Sequence, residues 1–124
     1  MRVLVACEFS GIVREAFRKL GHSAWSCDLL PAEDGSPFHY CGDVMQMLPG
    51  GRIYHTMALE GQQTNWDLMI AHPPCTHLAV SGARYFAEKR ADGRQQAALD
   101  FVRRLLDAPV PKIALENKLN ALRV

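Results

Sequence analysis

The chain has 124 residues, 48% hydrophobic and 22% charged, with a formal net charge of +1. That size and balance fit one small globular domain spanning residues 1–124, and a second domain is not expected. The near-neutral charge excludes a protein that holds nucleic acid by bulk charge alone.

No apolar run approaches the roughly 18 residues of a membrane span, so no membrane association is expected. The apolar start at Val3–Ala6 is broken by Glu8, which argues against a secretory leader and for the cytoplasm. There Cys7, Cys27, Cys41 and Cys75 would be reduced thiols, and their spacing contains no C-x-x-C pair.

The elements follow in chain order. Val3 to Ala6 is a continuous apolar run and predicts a strand buried on both faces, as in parallel sheets. Ser10 offers a helix N-cap. Ile12, Val13, Ala16, Phe17 and Leu20 then recur at helical spacing, with Arg14, Glu15, Arg18 and Lys19 opposite and Gly21 as the stop. His22 to Cys27 predicts a second strand, ending at Asp28. Glycines and prolines punctuate residues 30–65, with short helical pieces at 43–48 and 53–60. Trp66 to Ala71 predicts a strand that stops at Pro73-Pro74. Residues 76–91 read as an exposed loop. Gly93 to Leu106 predicts a helix, with Ala97, Ala98, Phe101, Val102, Leu105 and Leu106 on one side. Lys112 to Leu115 is the last strand. This alternation predicts a Rossmann-like open, mainly parallel α/β sheet.

Ligands bind such sheets at the carboxyl ends of the strands. The strand ends carry Cys7 to Gly11, Asp28, Pro73-Pro74-Cys75 and Glu116-Asn117. In this order they resemble the catalytic half of the DNA cytosine-5 methyltransferases, and small phage-type members in particular. The resemblance covers nearly the whole chain, and its specific part is Pro74-Cys75 followed by Glu116-Asn117. It implies a sheet of the S-adenosylmethionine-dependent methyltransferase type, incomplete at its C-terminal end. It implies a cofactor site at Phe9, Ser10, Gly11, Asp28, Asp43 and Pro73, with Asp28 on the ribose hydroxyls and Gly42-Asp43 beside the adenine. It implies catalysis by Cys75, Pro74, Glu116 and Asn117, with Cys75 as nucleophile and Glu116-Asn117 on the cytosine. S-adenosylmethionine would be the methyl donor, DNA the substrate, and the cytoplasm of a bacterial host the location.

The chemistry suits these residue types. Cytosine C5 is a poor nucleophile until a group adds to C6, and a thiolate does this well. A carboxylic acid at N3 stabilises the ring as electron density moves onto it. The base must leave the stack to be reached. The helix start at Ser10-Gly11 would offer N–H groups to the carboxylate of the cofactor.

The sequence also departs from the family. Ile12 and Val13 follow Gly11 where glycines are usual, and Glu8 stands at an apolar position. The later motifs of the family are missing, which predicts a truncated relative. The alternative is a catalytically inactive binding module or inhibitor that reuses the fold. An open edge after residues 112–116 predicts a protein partner or a homo-oligomer. Blander readings also stand: Asp28 and Asp43 as turn residues, Glu116 as a helix cap or lysine partner, and Cys7 as core. His72, Cys75 and His77 invite zinc, but their spacing matches no common ligand pattern, so no metal is expected. Arg84, Tyr85, Lys89, Arg90 and Arg94 form a basic stretch that is either a solvated face or a set of phosphate contacts.

Overall fold

The computed structural model describes residues 1–61, 65–73 and 94–116. Among the described residues five strands form one sheet: β1 (Arg2–Ala6), β2 (Ser23–Asp28), β3 (His39–Cys41), β4 (Leu68–Ala71) and β5 (Lys112–Leu115). Their order is β3-β2-β1-β4-β5, and all four pairings are parallel. The helices are α1 (Ile12–Lys19), α2 (Arg52–Leu59) and α3 (Arg94–Leu106), with a short 3-10 helix at Val44–Met47. This is an α/β fold of the Rossmann-like kind that the alternating pattern predicts. No helix among the described residues is long and apolar enough to cross a membrane.

β1 lies at the centre and is buried along its whole length. Its side chains alternate between the two faces. Val3 and Val5 join Ala24 on one face, against Val13 and Phe17 of α1. Leu4 and Ala6 join Cys27, Met69 and Ala71 on the other, with Val44, Met47, Met57 and Leu105 from the helices. The central strand is therefore covered by helices on both sides, which explains the unbroken apolar run from Val3 to Ala6.

Several expectations need correction. β3 was not predicted, because three residues carry no readable periodicity. Trp66 and Asp67 precede β4 rather than belonging to it. The indole Nε1 of Trp66 donates to Met47 O at 2.7 Å, and Asp67 Oδ2 accepts from Arg2 N at 2.7 Å. These two side chains anchor the start of the strand instead. On α3, Val102 and Leu105 are buried while Ala97 and Leu106 face outward.

The largest correction concerns α1. Only Val13 and Phe17 of its apolar set pack inward, while Ile12 and Leu20 are exposed. Arg14, expected on the solvated side, is fully buried. The helix is turned because polar partners await that guanidinium. Nε bonds Glu15 Oε1 at 3.1 Å, Nη1 bonds Ser26 Oγ at 2.6 Å, and Nη2 bonds Asp34. A buried cation is tolerated when its donors are met in this way.

Candidate functional site

The strand ladders continue one residue past their carboxyl ends. Glu8 N donates to Cys27 O, Gly42 N to Asp28 O, His72 N to Ala6 O, and Glu116 N to Ala71 O, all within 3.1 Å. Cys7, Asp28, Asp43, His72 and Glu116 are thereby brought to one edge of the sheet, where strand order in the sequence places Cys7, Asp28 and Glu116.

Two hollows open on this edge. The first, of about 380 Å³, is lined by Cys7 from the end of β1, Cys27, Asp28 and Leu29 from β2, and Gly42, Asp43 and Val44 after β3. Phe101 and Arg104 of α3 close its side. Its volume falls within the range of small-molecule sites. Each aspartate makes one local bond: Asp28 Oδ1 accepts from Leu30 N and Asp43 Oδ1 from Met45 N, both at 2.9 Å. The turn role is therefore real for both residues. It uses one oxygen of each carboxylate. The second hollow, of about 330 Å³, lies between β1 and β4 and is lined by Cys7, Glu8, Phe9, Ser10, Ile12, Val13 and His72.

Cys7 is the wall common to both hollows. It sits at φ 62°, the left-handed region that L side chains rarely adopt. This backbone reversal turns the chain from β1 toward α1. Gly11 follows at φ 80°, and a Cβ there would lie 2.5 Å from Arg14 Nη2 and 2.7 Å from Asp34 Oδ2. Gly11 is thus required by both backbone conformation and space.

The helix start differs from expectation. Gly11, not Ser10, holds the N-cap position, and Ser10 Oγ accepts only from Ile12 N at 3.4 Å. The donors of the first turn go to Glu8, whose carboxylate accepts from Val13 N at 3.1 Å and Arg14 N at 3.2 Å. Glu8 is buried, so the negative charge that favours a helix N-terminus comes from the chain itself. This explains the acid at a position where an apolar residue was expected. It also corrects the assignment of those N–H groups to a ligand carboxylate.

Burial pushes the Cys7 thiol from 9.0 up to about 12, and the carboxylates of Asp28 and Asp43 add to the effect. Cys27 is raised as well, first by burial and then by Cys7 and the same two acids. A thiol so raised is almost entirely protonated at neutral pH and a weak nucleophile. In limited alkylation at neutral pH followed by mass spectrometry, Cys7 and Cys27 are expected to stay unlabelled while Cys75 reacts first. For Cys7 the thiolate fraction is about a thousandfold below that of an ordinary thiol. Early labelling of Cys7 would contradict this arrangement.

Of the residues predicted for catalysis, Pro74, Cys75 and Asn117 lie outside the described residues, as do His77 and the basic stretch from Arg84 to Arg90. Glu116 is exposed, with Oε2 3.6 Å from His72 Nδ1. It neither caps a helix nor pairs with a lysine among the described residues. Pro73, two residues past the end of β4, is buried. No group of three His, Cys, Asp or Glu among the described residues is placed to hold a metal ion. Sequence reasoning read Cys7 as core and missed Cys27, Leu29, Val44, Phe101 and Arg104 as lining residues. The available signal was the three-residue spacing of Phe101 and Arg104, which puts both on one helix face.

No family model matches the chain, and no curated protein or solved structure matches it either.

Proposed function

We propose that this chain is an S-adenosylmethionine-binding domain of the DNA cytosine-5 methyltransferase lineage. The observation that carries the reading is the pair Asp28 and Asp43, at the carboxyl ends of β2 and β3, on one partly apolar hollow beside the β1–α1 turn. Asp28 keeps a second carboxylate oxygen without a partner among the described residues, which suits ribose hydroxyls. Leu29, Val44 and Phe101 supply apolar surface of the kind that receives a purine.

When bound, S-adenosylmethionine supplies an electrophilic methyl group on a sulfonium. On the protein side, Cys75 would add through sulfur to C6 of an extruded cytosine. The electron pair of the C5–C6 bond then becomes available at C5, while the Glu116 carboxyl group holds N3. After methylation, loss of the C5 proton to a base and departure of the Cys75 sulfur from C6 restore the ring. DNA is the methyl acceptor in this reading. β5, which pairs only with β4 among the described residues, is the edge at which a second chain would add.

Calorimetric titration with S-adenosylmethionine and S-adenosylhomocysteine tests the reading. Binding at about 1 µM is expected. Absence of binding at about 1 mM would overturn it in favour of a binding module that reuses the fold.

A further inference from the structure

The buried Arg14 is the start of a hydrogen-bond chain that ends at Asp28. Arg14 Nη1 donates to Ser26 Oγ at 2.6 Å. Ser26 Oγ is 2.7 Å from His39 Nδ1, and His39 Nε2 is 3.0 Å from Leu30 O. A carbonyl oxygen only accepts, so Nε2 carries a proton toward Leu30 O. Ser26 Oγ, which receives from Arg14, shares a hydrogen bond with Nδ1 of the same ring. Leu30 donates its own N–H to Asp28 Oδ1 at 2.9 Å. His39 is thus the link that joins β3 to the Asp28 turn.

We propose that His39 is a positioning residue for the adenosyl ligand: its ring, held through Ser26 by Arg14, fixes the Leu29–Leu30 turn so that Asp28 meets the ribose. The proposal rests on the reading of Asp28 given above. The ring has support on both sides: Ser26 is itself engaged by the buried Arg14, and Arg18 stacks on Phe38, next to His39, with its guanidinium carbon 3.4 Å from the Phe38 ring centre.

The test compares two variants of the full chain by calorimetric titration with S-adenosylhomocysteine at one neutral pH. His39→Leu removes the donor to Leu30 O and is expected to weaken binding about tenfold. His39→Gln keeps an N–H for Leu30 O and is expected to bind within about twofold of wild type. The Leu30 amide resonance of the free protein is expected to move in His39→Leu and to stay near its wild-type position in His39→Gln. Equal affinity in His39→Leu and wild type, equal loss in both variants, or a Leu30 resonance indifferent to His39 overturns the proposal. Absence of binding by the wild-type chain, with Leu30 still displaced in His39→Leu, overturns the assignment of Asp28 to ribose and leaves the hydrogen-bond chain standing.

Discussion

Arg14→Ala is expected to destabilise the protein by about 3–5 kcal/mol, a large share of the total stability of a domain this size. Two effects add. The side chain is the largest of those fully buried among the described residues, so its removal leaves a cavity between α1 and the sheet. Its guanidinium also satisfies Glu15, Ser26 and Asp34 at once, which ties α1 to β2 and to the β2–β3 connection. Arg14→Met separates the two effects, because it fills most of the volume without charge. Methionine is expected to cost less than alanine but more than a surface substitution, since Ser26 is fully buried and loses a donor. Urea denaturation monitored by circular dichroism measures both. A loss under about 1 kcal/mol for Arg14→Ala would show that the guanidinium is not a structural element.

Asp28→Ala is expected to weaken S-adenosylmethionine binding by about 10- to 150-fold, the equivalent of one charge-assisted hydrogen bond of about 1.5–3 kcal/mol. The carboxylate lines the larger hollow and has only Oδ1 engaged, by Leu30 N. Asp28→Asn discriminates between loss of charge and loss of the turn. Its amide oxygen can still accept from Leu30, so the Asn variant is expected to keep the local backbone while losing part of the affinity. Calorimetry on both variants checks this. Equal affinity in wild type and Asp28→Ala would remove the ribose role from this residue.

The parts of the fold written in long periodic segments were legible in the sequence. β1 could be read because its apolar run has no polar break, and α3 because its apolar residues recur over three turns. The carboxyl-edge gathering of Asp28 and Glu116 followed from strand order alone, whereas Asp43 entered only through the family resemblance because β3 was not read. The orientation of α1 was not legible, since Ile12 and Leu20 extended an apolar stripe that the fold leaves exposed. What decides its rotation is long-range: Ser26, Asp34 and Glu8 offer Arg14 and the helix start their partners. β3 escaped notice because His39, Tyr40 and Cys41 pair with β2 through the backbone, where side-chain pattern says little. Cys7 was read as core from its place after a buried strand. The positive φ that turns it into a pocket wall has no signature in a non-glycine residue.

The most direct test of the central claim is an amide-resonance titration of the full chain with S-adenosylhomocysteine. Saturable shifts are expected at Cys7, Asp28, Leu29, Gly42 and Asp43, the backbone positions that surround the larger hollow. Shifts confined to the amino ends of the strands, or no shifts at saturating ligand, would contradict an adenosyl site on this edge.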